Sequence, residues 1–162
     1  MKVFLIGLRR SGTTTLLQQF RQDHRMVCFD EPFNPLNRDI PDHDEWGTKA
    51  EYVNLYHENP HVFWQKYAYI DGQDEIRDDL TSRQIKWIAY LLESAPNTFM
   101  DFTRGHFKIP DLFKLAPDAL LVHLHRSPAA FAGSHILPSI WKNKRHLKYW
   151  RQKNRFWKIK KK

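Results

Sequence analysis

The sequence predicts an α/β fold, a parallel β-sheet flanked by helices, and three observations carry that expectation. Apolar runs at 3–6, 26–29, 98–102 and 119–124 read as short buried strands, each followed by a polar segment. Helical patterns separate them, the clearest over residues 82–95. The first run passes through a glycine turn directly into a helical pattern. Strand and helix alternating in this way form crossover units, which lay strands parallel and place helices on both faces.

The first strand candidate, Val3-Phe4-Leu5-Ile6, leads into Gly7-Leu8-Arg9-Arg10-Ser11-Gly12-Thr13-Thr14, and Leu16, Leu17 and Phe20 mark the helix that follows. A glycine turn between strand and helix gathers backbone N–H groups and a helix N-terminus at one point, which suits a phosphate-like anion. The glycines have the spacing of a Walker loop, yet Thr13 stands where that loop needs its lysine, and Arg10 supplies a cation earlier. A phosphate-binding loop of a three-layer nucleotide-binding sandwich is expected, without the terminal-phosphate lysine of an ATPase.

The second run, Met26-Val27-Cys28-Phe29, ends in Asp30-Glu31-Pro32-Phe33-Asn34-Pro35. Glu31 at a strand's end is either a positioned base or the cap of a turn. Residues 34–72 are the least regular stretch, with Pro35, Pro41, Pro60 and the aromatics Trp46, Tyr52, Tyr56, Phe63, Trp64 and Tyr67. A partly helical excursion over the cleft is expected, its aromatics packing on the sheet or meeting a substrate. Over 82–95, Ile85, Ile88, Ala89 and Leu92 fall at helical spacing behind a Thr81/Ser82 cap, and Pro96 closes the helix.

The third run precedes Thr103-Arg104-Gly105-His106, and the fourth, Ala119 to Leu124, ends at His125-Arg126-Ser127-Pro128. Ser134 lies eight residues past Arg126, across a helix-compatible Ala129-Ala130-Phe131-Ala132. An arginine fork and a serine hydroxyl two turns on suit one phosphate. His123 and His125 share one side of a strand, but no third ligand stands at useful spacing, so no metal is expected. In parallel sheets ligands bind beyond the carboxyl ends of the strands. The loop, Glu31, Arg104 and Arg126 all fall there.

Arg10-Ser11-Gly12-Thr13-Thr14, followed far along the chain by Arg126-x-Pro128 and Ser134, resembles the two donor-binding motifs of sulfotransferases that use 3′-phosphoadenosine 5′-phosphosulfate (PAPS), in order and spacing. The resemblance covers most of residues 1–154 and is closest to the bacterial and carbohydrate sulfotransferases, which carry a similar Glu-Pro after their second strand. It implies that Arg9, Arg10, Ser11, Gly12, Thr13, Thr14 and Thr15 hold the 5′-phosphosulfate and that Arg126 and Ser134 hold the 3′-phosphate. Glu31 is then the catalytic base and Arg10 a catalytic cation, with His43 and His106 as fallback bases, since some relatives use histidine. Phe102 departs from the lysine common in relatives at that point. The acceptor is a hydroxyl or amine on a small molecule, carbohydrate or lipid. Two rivals stand beside this reading: a small-molecule or nucleotide kinase with a degenerate loop, and a non-catalytic nucleotide-binding protein of shortened sulfotransferase fold.

At 162 residues with 41% hydrophobic and 14% aromatic residues, the chain has enough apolar material for one core. One domain over 1–154 is expected, with a basic tail over 155–162. The net charge of +8 is local: residues 141–162 carry eleven Lys/Arg and no Asp/Glu, so the remainder is slightly acidic. The tail reads as a solvated basic face, with no specific nucleic-acid partner. Tyr149-Trp150 and Asn154 resemble a helix that follows the 3′-phosphate segment in relatives, which usually continue further, so a short or truncated member is expected. A single cysteine, Cys28, no apolar run of membrane-spanning length and no signal-peptide pattern give a soluble cytoplasmic protein as the expectation.

Overall fold

The computed structural model describes residues 1–40 and 47–141, with side chains described as far as residue 134. The chain falls into two units, Met1–His125 and Arg126–Lys162. The first contains β1 (Lys2–Gly7), α1 (Thr13–Phe20), β2 (Val27–Asp30), α2 (Ala50–Glu58), α3 (Pro60–Lys66), α4 (Ser82–Glu93), β3 (Thr98–Phe102), α5 (Ile109–Leu115) and β4 (Leu120–Leu124). The four strands expected from the apolar runs form one sheet in the order β2-β3-β1-β4, every pair parallel. Both β1–β2 and β3–β4 connections therefore cross a neighbouring strand, which opens a crevice at the carboxyl ends of β1 and β3.

Side chains alternate between the two faces because successive Cβ atoms in a strand point opposite ways. Val3, Leu5, Cys28 and Phe99 cluster with Leu17 of α1, where Phe20 stacks on Phe99 at 4.3 Å. Phe4, Ile6, Phe29, Met100 and Phe102 join the larger cluster formed with α2 to α5. Trp87 is fully buried at its centre, in ring contact with Tyr52, Phe63 and Tyr67. Of the two uses open to the aromatics of the 34–72 excursion, Tyr52, Phe63 and Tyr67 take packing, and Tyr56 and Trp64 lie against the same cluster. Pro41 and Trp46 fall outside the described residues.

Helix α4 begins at a full capping box, Thr81 accepting from the Gln84 N–H while Gln84 Oε1 accepts from the Thr81 N–H. Its buried face comprises Gln84, Trp87, Ile88, Leu91 and Leu92, whereas Ile85 is at the surface. Gln84 displaces it: the side chain turns inward for the cap and donates to the Tyr69 carbonyl at 2.9 Å. The helix ends at Glu93, before Pro96. Strand β4 is an edge, with Leu120 and Leu121 exposed on its opposite sides.

The second unit begins with α6 (Pro128–Trp141). Proline suits the first turn of a helix, where its missing N–H costs nothing, and the Ser127 hydroxyl caps it by accepting from the Ala130 N–H at 3.2 Å. The expected tail features Tyr149, Trp150 and Asn154 and the basic segment 155–162 fall outside the described residues.

Candidate active site

Two sets of contacts lie at the carboxyl end of the sheet. The first is the loop between β1 and α1. Gly12 takes a left-handed φ of 107° at the N-cap of α1, and Arg10, not a glycine, has a φ of 67°. The Ser11 N–H donates to the Leu8 carbonyl at 3.0 Å, and Gly12 O accepts from Thr15 and Leu16 at 3.1 and 3.2 Å. Gly7 is tightly enclosed: a Cβ there would stand 2.7 Å from Thr13 Cγ2 and 2.8 Å from Ser11 Oγ, so those side chains would have to shift. The loop thus folds back over its own strand. Gly12 offers no side-chain cap, so the Thr13 and Thr14 amides at the start of α1 have no intrahelical acceptor. Ser11 Oγ is buried and has no hydrogen-bond partner, and a buried hydroxyl left unmatched costs about 1–3 kcal/mol.

Arg9, Arg10, Thr14 and Thr15 are exposed around this cradle, and Thr13 is buried beneath it. Oxygen acceptors of a phosphate or sulfate fit such a donor set: amides, hydroxyls and guanidinium groups, with no acidic side chain in the first turn of α1.

The second set of contacts surrounds Glu31, the residue just past β2. Its backbone is also left-handed, with φ of 46°. Its Oε1 accepts from Thr103 Oγ1 at 2.5 Å, and its Oε2 from Asn34 Nδ2 at 2.5 Å and Arg104 Nη1 at 3.0 Å. A carboxylate offers about four lone-pair sites, so three donors orient Glu31 and leave one site, on Oε1. Arg104 is largely buried and also meets Glu75 Oε1 through its Nε at 3.3 Å. Glu31 and Arg104, placed at strand ends from sequence alone, are direct partners.

Asp30 and Asp101 occupy the same rung of β2 and β3, with Leu5 beyond them on β1. Lys49 pairs with Asp30 at 2.9 Å. Asp101 is fully buried; burial, and then the charge of Asp30, push its carboxyl above the ordinary value of 3.8. An acid held protonated by the fold binds a proton that the unfolded chain has lost, so its contribution to stability falls as pH rises above 3.8 toward the raised folded value. We expect the stability advantage of Asp101→Asn over the wild type to grow over that interval. Chemical denaturation at stepped pH checks this, and a constant difference would contradict it.

His106 lies in a single 3-10 turn after Gly105, its Nε2 buried without a hydrogen-bond partner. Burial, then the neighbouring His123, lowers its pKa, so the neutral imidazole is favoured. Lys108, also buried, fastens this turn by donating to the Arg77 and Asp79 carbonyls, both at 2.8 Å. His43 falls outside the described residues. The His123 and His125 rings are 3.9 Å apart, and no group of three or more metal-ligating side chains occurs among the described residues. Cys28 is buried and free, its thiol pushed up to about 11 chiefly by burial, which leaves it unreactive near neutrality.

Arg126 and Ser134 belong to the second unit. Ser134 Oγ donates back to the Phe131 carbonyl at 2.7 Å, within α6. Thr103, Asn34 and Asp101, which orient Glu31, went unrecognised in the sequence. Asp101 carried a readable sign, a lone charge inside the apolar run Thr98-Phe99-Met100-Asp101-Phe102.

A family model described as the sulfotransferase family matches residues 2–158, nearly the whole chain. No curated protein and no solved structure matches it.

Proposed function

The chain belongs to the sulfotransferase family, and on that premise we propose that it transfers the sulfuryl group of PAPS to an acceptor hydroxyl. The observation that carries the proposal is the buried, unmatched Ser11 hydroxyl inside an amide-lined loop packed closely on Gly7. The amides of Gly12, Thr13 and Thr14 and the Ser11 hydroxyl bind the 5′-phosphosulfate, with Thr14 and Thr15 hydroxyls at its rim. Arg9 and Arg10 add charge, and Arg10 stabilises the negative charge that grows on the bridging oxygen as the sulfur–oxygen bond breaks. Arg126 and Ser134 bind the 3′-phosphate and so select this donor over ATP.

Glu31 orients the acceptor. Strands β1 and β2 are separated by β3, which puts Glu31 about 10 Å across the sheet from the loop, room for a sulfuryl group and the attacking oxygen. The open lone pair on Oε1 receives the acceptor's proton while its oxygen bonds to sulfur. The bridging oxygen leaves with the bonding pair as 3′-phosphoadenosine 5′-phosphate (PAP). Thr103, Asn34 and Arg104 hold the carboxylate at one angle throughout. The unmatched, neutral His106 Nε2 supports a second assignment of the base. The acceptor is a small molecule, sugar or lipid.

A single cysteine, Cys28, buried in β2, supports a cytoplasmic setting. Among the described residues no helix is long and apolar enough to cross a membrane. Incubation with sulfur-labelled PAPS and a panel of phenols, sugars and lipid alcohols tests the proposal. Label appearing in an acceptor with PAP released is the expected result. Phosphate moving from ATP instead would establish a kinase, and donor binding without turnover on any acceptor a non-catalytic nucleotide-binding protein.

A further inference from the structure

Each polar backbone group from the Asp30 carbonyl to the Pro32 carbonyl is taken by a side chain from elsewhere in the unit. Asp30 O accepts from Lys49 Nζ at 2.6 Å and from the Tyr52 hydroxyl at 3.2 Å. The Glu31 N–H donates to Asp101 Oδ1 at 2.6 Å, Glu31 O accepts from Asn37 Nδ2 at 3.0 Å, and Pro32 O accepts from Trp87 Nε1 at 2.9 Å. These partners clamp a residue whose backbone is left-handed, a conformation that a long side chain adopts only when its surroundings over-determine it.

Asp101 differs from Trp87, Tyr52 and Lys49 in having no visible alternative purpose, and among the side chains on this turn it alone accepts from the Glu31 N–H, whereas Asn37 holds the Glu31 carbonyl. Trp87 and Tyr52 fill the core, and Lys49 neutralises Asp30. Asp101 is a fully buried carboxyl in an otherwise apolar stretch of strand, and its Oδ2 has no hydrogen-bond partner. An apolar side chain there would avoid that cost. What Asp101 supplies is one acceptor, aimed at the Glu31 N–H.

We propose that Asp101 is a positioning residue that holds Glu31 in its left-handed turn, so that the Glu31 carboxylate is presented to Thr103 and Arg104 at the sheet's carboxyl end. The proposal rests on the reading of Glu31 as the base. It predicts that losing the acceptor oxygen harms turnover and not donor affinity, and that restoring an oxygen restores turnover.

The test compares Asp101→Ala with Asp101→Asn, reading kcat, acceptor KM and PAP affinity. Asp101→Ala is expected to lower kcat by about 10²-fold, the scale of a misplaced catalytic group, with PAP affinity retained. Asp101→Asn, whose amide oxygen can accept the same N–H, is expected to recover most of the loss. Equal kcat loss in both variants, no loss in either, or collapse of PAP affinity together with kcat would overturn the proposal.

A melting comparison decides the point without relying on activity or on the folding of Asp101→Ala. Both Glu31→Ala and Glu31→Gly remove the carboxylate, but only glycine adopts a positive φ freely. Glu31→Gly is expected to melt a few degrees above Glu31→Ala, showing that the turn stays left-handed while Asp101 is in place, and Asp101→Asn is expected to keep that gap. Equal melting temperatures would mean that the turn is not held, and the proposal would fall. Should Glu31→Gln keep full turnover, the base assignment fails, while the melting gap still reports on the clamp.

Discussion

Glu31→Gln is expected to lower kcat by about 10²–10⁴-fold, the usual contribution of a positioned general base, with little change in PAP binding. The substitution is nearly isosteric. Its amide oxygen can face Asn34 and Arg104 while its NH₂ donates to the Thr103 hydroxyl, which also accepts. The pocket geometry is therefore retained and the proton acceptor is lost. Arg104 loses one charged partner but keeps Glu75 at 3.3 Å, which limits the damage to local structure. Steady-state kinetics with a melting curve beside it checks the prediction. A full-rate Glu31→Gln enzyme would move the base to His106, and His106→Gln would then show the loss instead.

Arg126→Ala is expected to weaken PAP binding by about 10²–10³-fold, as befits the loss of a forked, charge-assisted contact to phosphate. ADP, which lacks the 3′-phosphate, is expected to bind both proteins equally weakly. The fold of the Met1–His125 unit should survive the substitution, because the sheet and its two hydrophobic clusters are built within residues 2–124. Titration calorimetry of the two proteins gives the answer. An unchanged PAP affinity would remove Arg126 from the 3′-phosphate site.

The strands and the glycine turn between β1 and α1 were legible because their determinants are local. An apolar run of four to six residues, a glycine needing left-handed φ at Gly12, and a capped helix at Thr81 each announce themselves within one turn of chain. The surroundings of Glu31 were not, since Asp101, Thr103 and Arg104 reach it from 70 to 73 residues away. Nothing local marks a glutamate for positive φ; the conformation is imposed by the side chains that clamp its amide and carbonyl. Helical spacing alone did not mark the inward face of α4, for a related reason. Gln84 is polar, yet the cap and the Tyr69 carbonyl draw it inside, and Ile85 turns out to the surface. In the 34–72 stretch, periodicity could not separate packing from substrate contact, and the large volume of Trp87 decided it by gathering Tyr52, Phe63 and Tyr67 around one ring.

The most direct test of the account is calorimetric titration of the full chain with PAP, with ADP as the control. Micromolar binding of PAP and little of ADP is expected, because the 3′-phosphate is the group that Arg126 and Ser134 are proposed to read. Equal binding of the two nucleotides, preference for ADP, or no binding of PAP would contradict it.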